Sequence, residues 1–198
     1  GLPRLSRRDE LMGAARFHSL DMAANAYFEH VGPDQRGAGD RMAAFDRSGL
    51  RNFSAENLAM IQGYFIDSEV ADTLHTGLMN SQGHRDNILT PQITHMAVGV
   101  VRFGDGVWLT QVFTEHTGEI SPPLPTRLRH GQTLDATVSL TDPNWSFARF
   151  SLRGDNNIPE DLARPTDGET LIATDKTGSV ILLARSEMQD HQNRMTSI

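Results

Sequence analysis

Three ionisable side chains stand beside turns in the first half of the chain. His30 closes Tyr27-Phe28-Glu29-His30, and Glu56 lies in Ser54-Ala55-Glu56-Asn57-Leu58-Ala59. His84 sits in Asn80-Ser81-Gln82-Gly83-His84-Arg85-Asp86-Asn87-Ile88-Leu89. Two imidazoles and a carboxylate suit a divalent metal such as zinc, or general acid–base work near neutral pH. Each also has an ordinary structural reading. His30 suits the C-terminal end of a helix dipole, Glu56 suits a first helical turn, and His84 suits a loop. Spacing alone leaves both readings open. Ser81, with His84 and Glu56, has the residue types of a serine hydrolase, but no Gly-x-Ser-x-Gly elbow surrounds it. Gln111 either reaches a cleft from its strand or satisfies neighbouring backbone.

The elements that must hold these groups are legible as periodicities. Ser6 followed by Asp9 and Glu10 predicts a capped helix start, the acids favouring the positive end of the dipole. Leu11, Ala15, His18, Met22 and Ala26 recur at three and four, which predicts one helix running to about Phe28. A short helical stretch follows around 41–46, and Ser54 is expected to open another helix carrying Glu56. Val70, Leu74 and Leu78 predict a helix over about 68–80, with His84 just beyond it in a loop. Residues 95–103 and 107–114 alternate and flank Gly104-Asp105-Gly106, which predicts a hairpin central to a sheet. The first 117 residues thus read as one α/β domain.

Pro122, Pro123 and Pro125 predict a stiff linker over 118–125. Beyond it, strands are expected at 136–141, 146–152, 170–174 and 180–184. Residues 126–198 read as a small β-rich domain, with 186–197 frayed or helical.

Composition limits the function classes. The chain has 198 residues, 38% apolar and 22% charged, with enough apolar mass for a core. No apolar run approaches the ~18–20 residues a bilayer requires, so no membrane span is expected. A net charge of −7 argues against a nucleic-acid partner. The arginines, among them Arg4, Arg7, Arg8, Arg16, Arg36 and Arg41, are scattered rather than gathered on one face. With no cysteine, thiolate chemistry and Cys-ligated zinc are excluded. No signal peptide is read in this sequence, and its abrupt start at Gly1 suits a trimmed or a processed form alike.

Four segments in order resemble the CAP superfamily of cysteine-rich secretory, antigen-five and pathogenesis-related proteins, in its bacterial branch. They are Phe28-Glu29-His30, Ala55-Glu56-Asn57-Leu58-Ala59, Met79 to Leu89, and Val98-Gly99-Val100 with Trp108-Leu109-Thr110-Gln111-Val112-Phe113. The run from Gly83-His84-Arg85 to the Val98-Gly99-Val100 strand has the length usual in that branch. The resemblance covers about residues 1–115. It implies an α-β-α sandwich with a cleft lined by two histidines and two acids, able in some members to hold a divalent cation. By motif match His30 is the first histidine, Glu56 the first acid and His84 the second histidine. The second acid's place falls at Ser81 or Gly77, neither of them acidic. The family's usual glycine before the first acid is Ala55, and its tryptophan is Leu74 or Leu78. His75 is a candidate replacement ligand.

These readings lead to a secreted, periplasmic or cell-surface binding module. Its cleft, formed by His30, Glu56, Ser81, His84 and Gln111, would take a small amphipathic ligand, an envelope component or a divalent metal, without turnover. The alternative is a zinc-dependent hydrolase in which His30, Glu56 and His84 hold the metal and Glu56 and His84 act in catalysis. The β-rich C-terminal part suits adhesion or partner contact.

Overall fold

The computed structural model describes residues 1–63, 67–127, 133–154, 170–172, 180–188 and 193–197. The chain divides into two compact units. One comprises Gly1–Asp46 with Phe53–Glu115, and the other Arg47–Asn52 with His116–Ile198.

The first unit is a sheet with helices on both faces. Its strand order is β1 (Ser6–Arg7), β3 (His95–Phe103), β4 (Gly106–Ser121) and β2 (Gly49–Gln62). Strands β3 and β4 form the expected hairpin, in register from His95↔Thr114 to Phe103↔Gly106, and Gly104 takes the positive φ of the turn. Alternation sends successive side chains to opposite faces. On one face, α1 (Asp9–Asn25) and α2 (Ala38–Phe45) bury Leu11, Ala14, Ala15 and Met42 against Ala97 and Val112. Further along α1, Met22 and Ala23 pack on Leu58 and Trp108. On the other face, α3 (Asp67–Asn80) packs Leu74 and Leu78 against Val107 and Leu109, with Ala59, Ile61 and Val98 alongside. The Val70-Leu74-Leu78 stripe is therefore the buried side of α3, as its spacing predicts.

Several elements differ from the sequence expectation. Helix α1 stops at Asn25 because Ala26 turns left-handed (φ 55°, ψ 47°) and its N–H bonds back to Met22 O. His30 therefore lies on a loop, beyond reach of that helix's dipole. Ser6 is not a cap. It pairs with His95 in parallel, and Arg8 takes the cap position ahead of Asp9 and Glu10. Glu56 stands on strand β2, not on a helix. His84 stands on a short helix, α4 (Gln82–Ile88), not in a loop.

In the second unit, β4 continues through Gly118–Ser121, inside the expected linker, and pairs with β6 (Thr137–Leu140). A two-stranded sheet joins β5 (Thr133–Asp135) to β8 (Thr170–Ile172). Strand β9 (Val180–Met188) lies between β7 (Trp145–Gly154) and β10 (Asn193–Ser197), and β10 reaches Arg51 of β2. The segment expected to be frayed or helical thus holds the end of β9 and all of β10. The last two residues of the strand expected at 170–174 lie outside the described residues.

Candidate functional site

Glu56 points to the sheet face covered by α1 and α2, and its side chain is 3% exposed. A buried carboxylate needs charge compensation and donors. Arg41 Nη2, from α2, donates to Glu56 Oε2 at 2.8 Å. His30 Nδ1 donates to Oε1 at 2.9 Å. Arg41 is itself buried, and it also donates from Nη1 to Arg36 O at 2.7 Å and from Nη2 to His30 O at 2.9 Å. One guanidinium thus ties the loop carrying His30 to the carboxylate.

His18 lies beneath this pair. Its Nε2–H donates to Glu29 O at 3.0 Å and stands 3.8 Å from Glu56 Oε1. A carbonyl can only accept, so the proton is on Nε2 and the neutral ring leaves Nδ1 bare. That Nδ1 is buried without a hydrogen-bond partner. Burial lowers the His18 pKa below its ordinary 6.5; Glu56 opposes the shift and Arg41 adds to it. Nearby, Tyr27 OH donates to Asp21 Oδ2. Burial, followed by that bond, pushes the Tyr27 hydroxyl well above its usual range.

The structure brings His30 and Glu56 together, but it uses His84 differently. The His84 carbonyl accepts from Asn57 Nδ2 at 2.9 Å. The same amide donates to Gln111 Oε1 at 3.2 Å, and Asn87 Nδ2 donates to Asn57 Oδ1 at 2.9 Å. These amides fasten α4 to the sheet on the face opposite Glu56. Gln111 belongs to that clamp through the side chain of Asn57 rather than through neighbouring backbone. His75 is exposed on α3.

The family resemblance implies a divalent metal. The residues present do not fit a three-ligand site on His30, Glu56 and His84. Both Glu56 oxygens already accept N–H donors, one from a guanidinium whose charge opposes a cation. Among the described residues no group of three or more His, Asp or Glu side chains is arranged to hold a metal ion. The Glu56–His30 pair can instead fix one tautomer, directing His30 Nε2 outward from a ring that is 56% exposed.

Ser81 and His84 line a cleft of about 330 Å³. Its floor is Leu58, Ala59, Met60 and Ile61 of β2, with Phe28 and the α3 residues Leu74 and Gly77 also on its lining. Its lining is mostly apolar, with Thr73, Ser81 and His84 as polar groups, as ligand clefts commonly are.

Sequence reasoning missed Arg41 and His18 as site residues. A histidine on the apolar stripe of α1 was a usable signal, since such a position normally holds an aliphatic side chain. Nothing in the spacing of Arg41 sets it apart from the other arginines.

The family model described as CAP, the cysteine-rich secretory protein family, matches residues 1–113. The chain belongs to this family. It is 37% identical over 111 residues to the uncharacterized protein YkwD of Bacillus subtilis (strain 168), covering 56% of this chain and 40% of that protein. It is 34% identical over 104 residues to the uncharacterized membrane protein YlbC of the same strain, covering 52% and 27%. The chain therefore spans less than half the length of these CAP relatives. Among solved structures it is similar to an extracellular protein containing a SCP domain from Bacillus anthracis str. Ames. That match has 32% identity and a TM-score of 0.47, covering 57% of this chain and 34% of the other. It is also similar to an outer surface protein from Borrelia burgdorferi, with 18% identity, a TM-score of 0.45 and coverage of 58% and 80%. Among the described residues no helix is long and apolar enough to cross a membrane.

Proposed function

We propose that this CAP domain is a binding module of the cell exterior, whose apolar cleft takes a small amphipathic ligand without turning it over. The observation that carries this reading is the lining of the cleft. Leu58, Met60, Ile61 and Leu74 offer apolar surface, while Ser81 and His84 offer hydrogen bonds to a polar head. Against turnover stands the engagement of Glu56. A carboxylate held by Arg41 and His30 is occupied as an anchor. The β-rich residues after 125 would serve contact with a further partner in the cell envelope.

The test is a titration with the fluorescent amphiphile 1-anilinonaphthalene-8-sulfonate. The wild type should bind one dye molecule, and Met60→Glu should weaken binding at least tenfold by placing a charge on the cleft lining, where Met60 is 40% exposed. Hydrolysis of a peptide, ester or glycan panel that disappears in His84→Ala would overturn the reading.

A further inference from the structure

The cleft has a geometry that a simple apolar pocket lacks. Leu58, Ala59, Met60 and Ile61 are consecutive residues of one strand, and all four line it. Side chains of a strand alternate between faces, so no single face presents four in a row. A cleft touching all four must open on the edge of the strand, where backbone N–H and C=O groups point outward. The strand order agrees. Strand β2 lies beside β4, and among the described residues β10 meets it only at Arg51. Among the described residues, Phe53–Gln62 therefore has a strand neighbour on the β4 side alone. An edge of this kind is a template for another extended chain.

We infer that the occupant of the cleft is an extended peptide segment that adds to β2 as a further strand, carrying alternating apolar residues and a Lys or Arg at one end. This rests on the binding-module reading above and names the class of its ligand. Backbone pairing along Leu58–Ile61 supplies the register. Alternate apolar side chains of the peptide meet Leu74 on the α3 side and Phe28, which is 41% exposed, elsewhere on the lining. The charge requirement comes from α3, whose sequence holds Asp67, Glu69 and Asp72 and no Lys or Arg. Glu69, Thr73 and Gly77 are spaced by four and so share one side of the helix. Thr73 and Gly77 line the cleft, which puts the exposed Glu69 on its continuation. Glu29, exposed next to Phe28, adds to the acidic surroundings.

The probe is the labelled, capped peptide acetyl-Lys-Val-Thr-Val-Thr-Val-amide, measured by fluorescence anisotropy on the whole chain. Two analogues carry N-methyl groups on alternate amides, one on the odd positions and one on the even. A paired strand turns successive amides to opposite edges, so one analogue should bind at least tenfold more weakly and the other about as well as the parent. Replacing the peptide's Lys by Glu should weaken binding at low salt. Gly77→Phe should abolish it, since an added Cβ at Gly77 meets nothing within 4 Å and the ring has room to extend into the cleft. The N-methyl comparison uses wild type and does not depend on how that variant folds. Equal binding of parent and both analogues would overturn strand addition, as would no peptide binding while the dye still binds; both results leave the small-ligand reading standing. Binding of neither peptide nor dye would overturn both.

Discussion

At the scale of single residues, the chemistry of the site comes from side chains whose partners are distant in sequence. Glu56 is buried because Arg41 and His30 meet it, and Arg41 is tolerated inside because Glu56 and two carbonyls meet it. Removing one member of a buried pair strands the other charge. Arg41→Met should therefore cost about 3–5 kcal/mol, read from urea unfolding. The double change Arg41→Met with Glu56→Leu should cost less than Arg41→Met alone; an equal or larger cost would show the pair contributes beyond mutual compensation. His18 gives a pH signature. Its folded pKa lies below the unfolded value of 6.5, so below that pH the unfolded chain binds more protons. Its contribution is present above pH 6.5 and is lost as pH falls toward the folded pKa. His18→Gln should flatten the stability profile in that window, and an unchanged slope would refute the assignment. Motif order in the sequence marks His30, Glu56 and His84, but not which of them meet. His30 and Glu56 pair because Arg41 draws the loop in. His84 belongs to another face because residues 56 and 57 point oppositely along a strand.

At the scale of elements, legibility follows the agreement between local pattern and burial. Helix α3 is readable because Val70, Leu74 and Leu78 are both periodic and inward. The β3–β4 hairpin is readable because alternation and turn chemistry coincide. Strand β2 is not, because Ala55 to Met60 is rich in helix formers and its buried positions include Glu56 and Asn57. Tertiary partners override propensity there. Asn87 and Gln111 satisfy Asn57, and Arg41 satisfies Glu56, so a polar stretch is stable as a strand. Two glycines should separate propensity from packing. Gly77 lies inside α3 with open space around it, so Gly77→Ala should stabilise by about 0.5–1 kcal/mol, measured as a rise in urea midpoint. Gly99 lies where β3 passes against the α1 backbone at Ala15 and Arg16, and an added Cβ would overlap it. Gly99→Ala should destabilise by about 1–3 kcal/mol, because neither backbone can yield without moving a packed layer.

At the scale of the whole chain, the two compact units need not share one unfolding transition, and a single melting temperature would then describe neither. The two tryptophans offer a way to separate them, since Trp108 lies in the first unit and Trp145 in the second. Trp108 packs on Met22, Ala23 and Leu58, and Leu58 is also part of the cleft lining. A ligand of the cleft binds only the folded first unit, so it must stabilise that unit by mass action. At about 100 times its Kd the gain is about 2.7 kcal/mol. For a unit of this size that corresponds to a rise of roughly 10–15 °C. The rise should appear in the near-ultraviolet signal of Trp108, read in a Trp145→Phe chain. Zinc added at the same concentration should leave that transition in place, because Arg41 and His30 hold both oxygens of Glu56. A zinc-induced rise that Glu56→Gln removes would mean that the metal displaces Arg41 from the carboxylate, and would return His30 and Glu56 to the role of ligands.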